Sequence, residues 1–138
     1  MDCIFCKIIK GDIPSYKVYE DKHIVAFLDI SQLTKGHTLV LPKNHVKNIY
    51  ELDEETASRI FKAVPKIARA LKRQFNPIGM NIINNADKPL QSVFHFHIHF
   101  IPRYENDDLT VDMVNHSEDY SKETLQTMAQ SIEQFIKE

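Results

Sequence analysis

The stretch Phe94-His95-Phe96-His97-Ile98-His99-Phe100-Ile101 alternates large apolar residues with histidine. Successive side chains of an extended strand point to opposite faces of a sheet, so this period predicts a strand over 94–101. The three imidazoles would then share one face, and Phe94, Phe96, Ile98 and Phe100 the other. We expect the apolar face to pack on a helix. The imidazole face should line a cleft, because buried imidazoles without partners carry a desolvation cost.

The rest of the chain predicts four more strands. They are Lys17–Glu20, Ile24–Leu28, 38–41 and 80–83, each with strand-like alternation. A main helix is predicted over 53–75, where Asp53 is the expected N-cap. Its apolar face is expected to comprise Ile60, Phe61, Val64, Ile67, Ala68 and Leu71. Pro65 falls inside this segment and is expected to kink the helix or mark a boundary.

A second helix is predicted to close the chain. It covers Lys122–Ile136, and its apolar side is formed by Leu125, Met128, Ile132, Phe135 and Ile136. The elements do not alternate regularly between strand and helix. We therefore expect an α+β fold with a mostly antiparallel sheet of about five strands.

Bulk properties restrict the class of protein. The 138 residues are 43% hydrophobic, which is typical of one domain over 1–138. A net charge of -2 argues against nucleic acid or an anionic membrane as partner. We expect a cytoplasmic protein, because no stretch has the pattern of a signal peptide or a membrane span. In that reducing compartment Cys3 and Cys6 are not expected to form a structural disulfide.

The histidine pattern admits three interpretations. The simplest is a half-exposed strand that happens to contain histidine. A catalytic zinc held by all three imidazoles is excluded, because His95 and His99 would lie about 13 Å apart in a strand rising about 3.3 Å per residue. Two neighbouring histidines can still share a metal. Covalent catalysis at phosphorus fits better, since a neutral imidazole is nucleophilic near pH 7 without a strong base.

The chain resembles the histidine-triad (HIT) family, whose motif is His-x-His-x-His followed by two apolar residues. The match extends to Phe27-Leu28-Asp29-Ile30, to the segment 36–45, to Asn84 and to Gln91-Ser92, in the family's order. It covers most of a core over 1–104. The remainder, 105–138, resembles the helical C-terminal extension of bacterial members and carries no motif.

The resemblance implies a role for several residues. His97 is the expected nucleophile on the α-phosphorus, His99 contacts a phosphate oxygen, and His37 lies behind the triad. Asp29 binds the ribose, Asn84 the ribose-phosphate, and Gln91 and Ser92 line the phosphate and leaving-group side. The candidates for an apolar nucleoside pocket are Phe5, Ile8, Phe27, Leu28 and Ile30, although such residues are often plain core.

The chain departs from the family pattern before Gln91. Many relatives have glycine where this chain has Leu90, after Pro89. Leucine does not readily adopt the positive φ values open to glycine, so we expect a phosphate loop of different shape. His23 and His116 are predicted to be ordinary surface residues. Lys43 is predicted to be one too, with a contact to phosphate as the alternative.

Cys3 and Cys6 have the spacing at which two sulfurs bind one zinc, but a structural site needs four ligands. The resemblance supplies His45 and His95, giving an expected structural Cys2His2 zinc site without a catalytic metal. A redox pair and two unrelated cysteines are the alternatives.

Three functions remain open. The first is an enzyme that cleaves nucleoside phosphoramidates or dinucleoside polyphosphates and releases a nucleoside monophosphate, with a purine nucleotide such as AMP expected. The second is a nucleotide-binding regulatory protein with slow hydrolysis, and the third is a metal-dependent hydrolase. The resemblance also implies a homodimer whose two sheets join into one.

Overall fold

Five antiparallel strands form one open sheet in the order β1-β2-β3-β5-β4 in the computed structural model, which describes residues 2–136. The strands are β1 Lys17–Glu20, β2 Ile24–Leu28, β3 Thr38–Pro42, β4 Gly79–Asn84 and β5 Ile98–Arg103. The helices are α1 Ile4–Lys10, α2 Glu54–Phe75 and α3 Lys122–Ile136. The predicted α+β class with an antiparallel sheet is confirmed. The predicted domain also includes Met1, Lys137 and Glu138, which lie outside the described residues.

The prediction for the histidine strand was wrong at its start. Strand β5 begins at Ile98, so of the three histidines only His99 belongs to a strand. Strand β3 pairs with β5 from Ile98 to Phe100 only. Before that point the backbone N–H of Phe96 donates to the carbonyl of Val46, 2.6 Å away in a loop. A loop therefore takes the hydrogen bond that a neighbouring strand would otherwise make.

Helix α2 continues through Pro65 as 22 residues, so a helix boundary at Pro65, one of the two expected effects of the proline, was wrong. Proline removes the N–H that would bond to the carbonyl of Phe61. Both residues are exposed, so that carbonyl lies on the water-facing side, where solvent can satisfy it. Phe61 itself is 56% exposed, and its predicted place on the buried face was also wrong.

Two apolar clusters cover the two faces of the sheet. One joins α2, through Ile60, Val64, Ile67 and Leu71, to Phe96, Ile98 and Phe100. The other joins α1 to strands β2 and β3, through Phe5, Ile8, Val25, Phe27, Leu39 and Leu41. From Phe96 onward, the apolar residues that alternate with the histidines therefore pack in the α2 cluster. Phe94, by contrast, is 44% exposed.

Helix α1 was not predicted from the sequence. The Sγ of Cys3 accepts a hydrogen bond from the backbone N–H of Cys6, which caps the first turn. Gly11 ends the helix with φ of 89°, a conformation that glycine adopts without strain. The helix packs on a face of the sheet and brings Cys3 and Cys6 next to His95 and Phe5 next to His97.

Helix α3 has the predicted bounds, yet none of its residues is buried. The apolar side that the sequence predicts is therefore turned to solvent in the single chain. In the described part of the chain, no helix combines the length and the uninterrupted apolar character that crossing a bilayer requires.

Candidate functional site

His97 is fixed by its own backbone neighbourhood. Its Nδ1 lies 2.7 Å from the carbonyl oxygen of His95. A carbonyl only accepts hydrogen bonds, so Nδ1 carries the proton and Nε2 of a neutral ring has a free lone pair. Asn84 donates from Nδ2 to the carbonyl of His97 over 2.9 Å. Backbone and side chain therefore both orient an imidazole whose Nε2 is free to react.

His99 and His37 form a hydrogen-bonded pair behind His97. The rings of His97 and His99 have centroids 4.9 Å apart, and Nδ1 of His99 lies 2.9 Å from Nε2 of His37. Oδ2 of Asp29 lies 3.6 Å from the same Nε2. This carboxylate favours a proton on Nε2 of His37, which then donates to Nδ1 of His99. Nε2 of His99 then carries its own proton and can donate to a ligand.

Burial keeps these imidazoles neutral. It lowers the pKa of His97, His37 and His95 below the ordinary imidazole value. Burial, followed by the neighbouring charges of His97 and His37, lowers the pKa of His99 to about 4. A neutral imidazole is the nucleophilic form. At neutral pH the group therefore needs no base to remove a proton first.

Gln91 and Ser92 lie in different surroundings. The Gln91 amide is buried and donates from Nε2 to the carbonyls of Lys47 and Val93, while its Oε1 accepts from the Asp87 backbone. Its side chain thus ties loops together. Ser92 is exposed and lines a cavity of about 350 Å³ that Cys3 and His45 also line.

The predicted nucleoside-pocket residues divide into two groups. Phe5, Ile8 and Phe27 are buried in the cluster under α1, and the Phe5 ring lies 5.0 Å from that of His97. Leu28 and Ile30 instead line an open cleft of about 430 Å³ with Asp29. Tyr16 and Gln32 complete that cleft. The sequence analysis missed both, because neither belongs to a motif.

The loop before Gln91 is shaped at other positions than Leu90. Asp87 has the positive φ, at 58°, and the Lys88–Pro89 peptide is cis. Leu90 is not among the described residues with positive φ, so it does not adopt the conformation that was expected to be difficult for leucine. His116 is exposed as predicted, whereas His23 is half-buried. Lys43 is also half-buried and pairs with Glu20 over 2.8 Å.

Cys3, Cys6, His45 and His95 form a second cluster beside the imidazoles. Their four potential ligand atoms all lie within 4.8 Å of one another. Nδ1 of His95 lies 3.5 Å from Sγ of Cys3 and 3.6 Å from Sγ of Cys6. Nδ1 of His45 lies 3.3 Å from Sγ of Cys6.

These distances fit a tetrahedral zinc ion. Ligands at about 2.3 Å for sulfur and about 2.05 Å for nitrogen would stand about 3.6 Å apart at a tetrahedral angle. Nε2 of His95 donates to the carbonyl of Pro42 over 2.8 Å. That bond fixes the proton on Nε2 and leaves Nδ1 free toward the sulfurs, as in histidines that bind zinc. The residues thus fit the metal in number, chemistry and spacing.

The comparison with protein families matches this arrangement to one family. The model of the HIT domain matches residues 10–106, which is most of the chain. The chain belongs to the HIT domain family. The matched segment of this HIT protein includes the triad, His37, His45 and the Asp29 cleft.

Curated relatives include proteins with named activities. "Protein hit" of Bacillus subtilis is 58% identical over 133 residues, covering 95% of this chain and 92% of its own length. The adenosine 5'-monophosphoramidase hnt1 of Schizosaccharomyces pombe is 38% identical, covering 99% of this chain and 100% of its own. The adenylylsulfatase HINT3 of Arabidopsis thaliana is 36% identical, covering 93% and 66%.

Solved structures of HIT proteins share this fold. A HIT family member from Bacillus subtilis superposes with a TM-score of 0.95 at 57% identity, covering 97% of this chain and 96% of that chain. A zinc-bound HIT family protein from Mycobacterium smegmatis has a TM-score of 0.74 at 37% identity, covering 86% and 87%.

Proposed function

We propose that this HIT protein is a nucleotide hydrolase or transferase that cleaves at the α-phosphate of nucleoside phosphoramidates or dinucleoside polyphosphates. The product is a nucleoside monophosphate, AMP in the case of an adenine nucleotide. The observation that carries the proposal is the hydrogen bond from Nδ1 of His97 to the His95 carbonyl. It leaves Nε2 as the one nitrogen of that ring available for attack. The names of two relatives, a monophosphoramidase and an adenylylsulfatase, support the same chemistry.

In the first step, the lone pair on Nε2 of His97 forms a bond to the α-phosphorus, and the bond from phosphorus to the leaving group breaks. The leaving group departs with the bonding electron pair; an amine takes a proton from solvent water, whereas a phosphate or polyphosphate leaves as its anion. His99, with a proton on Nε2, donates to a non-bridging oxygen as charge develops there. In the second step water forms a bond to the α-phosphorus, the bond from phosphorus to Nε2 breaks with its electron pair returning to His97, and the water proton passes to solvent. The monophosphate is released and His97 is restored.

The open cleft is the proposed nucleoside site. Leu28 and Ile30 would contact the base, and Asp29 would accept from the ribose hydroxyls. Phe5, Ile8 and Phe27 are proposed as the buried backing of the nucleoside site; they lie in the cluster under α1, where the Phe5 ring is 5.0 Å from that of His97. Ser92 and Gln91 are proposed for the phosphate and leaving-group side, with Gln91 acting through the loop that it holds. Asn84 is proposed for the ribose-phosphate side and also orients His97.

We further propose a structural zinc ion on Cys3, Cys6, His45 and His95. The fit of the four ligand atoms and the zinc-bound relative support it. The ion would neutralise two thiolates and hold the N-terminal helix against the loop that carries His95. No catalytic metal is needed, because the proposed attack uses a neutral imidazole.

The assembly that we propose is a homodimer of single-domain chains in the cytoplasm. Strand β4 lies at the edge of the sheet, and Ile82 on it is 51% exposed. An unprotected edge strand readily pairs with another chain. A second copy paired at β4 would join the two sheets into one.

Rapid-quench labelling tests the catalytic proposal. The protein is mixed in separate reactions with a diadenosine polyphosphate and with an adenosine phosphoramidate, each radiolabelled at the α-phosphorus. Each reaction is stopped in denaturant within milliseconds. We expect an acid-labile label on His97, absent in H97A and retained in H23A, a control outside the triad. Turnover without any adduct would refute covalent catalysis. Binding without turnover or adduct would favour the nucleotide-binding alternative.

A further inference from the structure

The C-terminal extension is turned entirely to solvent in the single chain. Every described residue from Thr110 to Ile136 is exposed. The apolar stripe of α3 consists of Leu125, Met128, Ile132, Phe135 and Ile136, with exposures of 51%, 39%, 60%, 69% and 76%. An amphipathic helix obtains its stability from burying such a face. This stripe therefore requires a surface that its own chain does not provide.

The exposed area of the chain indicates how much surface is missing. A compact folded monomer of 16.1 kDa is expected to expose about 7,400 Å². This chain exposes 10142 Å², an excess of about 2,700 Å² over that expectation. A standard protein interface buries about 800 Å² on each partner. The excess over a compact monomer is therefore large enough for a full interface on this chain, and the exposed extension lies within that excess surface.

Charge indicates the kind of surface that would accept the extension. Residues 105–138 contain nine Asp and Glu and two Lys. Helix α2 contains six Lys and Arg and two Glu. Opposite charges of this kind steer association and fix register. Six of the nine acidic residues lie in 105–121, before α3. This linking segment, more than the helix itself, would therefore face the basic residues of α2.

The placement of the extension is reproducible. The Bacillus subtilis structure matches 97% of this chain with a TM-score of 0.95, so the match includes most of α3. A helix without support would have no reason to take one position relative to the sheet. The shared position indicates that something outside the chain holds α3. In a family member crystallised as itself, a second copy is the partner that is always present.

We propose that the C-terminal extension is an exchanged arm, and that α3 of one copy docks in an apolar groove along α2 of a second copy. The groove has a volume of about 370 Å³ and is lined by Val18, Tyr19, Ile67, Ala70, Leu71 and Phe75, among others. Lys66 stands at its rim over the Tyr19 ring. This proposal adds to the β4 pairing and does not depend on the catalytic proposal.

The dimensions of the two surfaces agree. The stripe from Leu125 to Ile136 is about 16 Å long, and the groove along α2 from Lys66 to Phe75 is about 14 Å long, at 1.5 Å per residue. A second groove, between α2 and β4, includes Ile78 and Ile82. It borders the strand proposed for sheet pairing, so the groove beside β1 is the one left for the arm.

Sedimentation velocity over a range of protein concentrations tests the arm. The double variant I132S/F135S alters the stripe, and A70R fills the groove at an exposed position. We expect each to raise the dimer dissociation constant at least tenfold, with thermal unfolding still cooperative. S58R, an exposed substitution on α2 outside the groove, is the matched control and should leave the constant unchanged. A monomeric wild type, or a dimer insensitive to the stripe variant, would overturn the proposal.

A photoreactive amino acid at position 132 tests whether α3 contacts its own chain or a second copy. Docking on a second copy gives a cross-linked species of twice the chain mass, with the adduct on α2 peptides. A cross-link at monomer mass would mean that the arm folds back on its own chain and would overturn the exchange. In I82K, disruption of β4 pairing should weaken the dimer without moving the cross-link off α2. The two contacts can therefore be separated. A dimer that is weakened by I82K but not by the stripe or groove variants would support the β4 junction and overturn the arm.

Discussion

The carbonyl of His95 accepts a hydrogen bond of 2.7 Å from Nδ1 of His97, while the ring of His95 faces the sulfurs of Cys3 and Cys6. One residue therefore belongs to both the proposed metal cluster and the support of the proposed nucleophile. The three histidines are not equivalent: His95 anchors, His97 presents a free Nε2, and His99 presents a proton.

Replacement of Asn84 tests whether the hydrogen bond to the His97 carbonyl is needed to position the His97 ring for catalysis. Its Nδ2 donates to the carbonyl of His97, so N84A should misplace the ring and lower kcat by about 10- to 100-fold, since misplacement of about 1 Å can cost that much. Steady-state kinetics separate the roles: loss of positioning lowers kcat, whereas loss of a ribose contact raises KM. N44A, an exposed substitution, is the control. An unchanged kcat would remove Asn84 from the positioning role.

Metal content and stability should change together. Protein purified without chelator is expected to contain about one zinc per chain by elemental analysis. C3S should lose the metal, and the wild type should lose at least 5 °C in Tm on chelation, because a ligand bound only to the folded state stabilises it. Chelator should have no effect on the Tm of C3S. Zinc below a tenth of an equivalent in the wild type would contradict the site.

The free energy of unfolding should decrease as the pH is lowered, because the buried imidazoles resist protonation in the folded chain. The folded pKa of His99 is about 4, against 6.5 ordinarily. Between pH 4 and pH 6.5 the unfolded chain binds more protons than the folded chain. The contribution of neutral His99 to the free energy of unfolding is therefore complete above pH 6.5 and decreases as the pH falls toward 4. H99N should reduce the slope against pH by about one proton, measured by denaturant unfolding at each pH.

The matched control for that slope is H116N. The His116 side chain is 66% exposed, so H116N removes one imidazole without disturbing the buried cluster, and its slope is the reference for that of H99N. Equal slopes for the wild type and H99N would show that His99 protonates alike in the folded and unfolded chains.

Gly36 is expected to resist substitution. Its φ is +95°, and a Cβ there would lie 2.9 Å from the Phe75 ring. G36A should therefore lower the free energy of unfolding by about 1–3 kcal/mol. G79A provides the comparison, because its Cβ would meet nothing within 4 Å. Urea titrations of both variants measure the difference, and equal losses would show that close approach and φ are unimportant at Gly36.

The sequence predicted most of the sheet because its strands carry side-chain periods that burial then uses. Strands β1 and β2 and helix α3 have the predicted bounds. The predicted start of β5 was wrong. An alternation with period 2 indicates on which side each side chain lies, but not which backbone groups form hydrogen bonds to a neighbouring strand. The main helix was predicted over 53–75, but its continuity at Pro65 stayed open, because the cost of a proline depends on whether the orphaned carbonyl faces water.

The candidate site was predictable where a motif joins residues distant in the chain. The Cys3, Cys6, His45 and His95 cluster was predicted by family resemblance, and the structure brings its ligand atoms together. Tyr16 and Gln32 were not predicted, because they reach the cleft through the path of a loop. Helix α1 is short, and its cap is an unusual one, a cysteine sulfur.

The strand order has a consequence for how the protein folds. Strands β1, β2 and β3 are neighbours in both chain and sheet, whereas β5 lies between β3 and β4 and pairs with a strand about sixty residues earlier. Contacts so distant in sequence close more slowly than those of a local meander. The strand that carries His99 and follows His97 is therefore expected to be inserted late. Nucleotide turnover would then report completed folding, where spectroscopy of the meander alone would not.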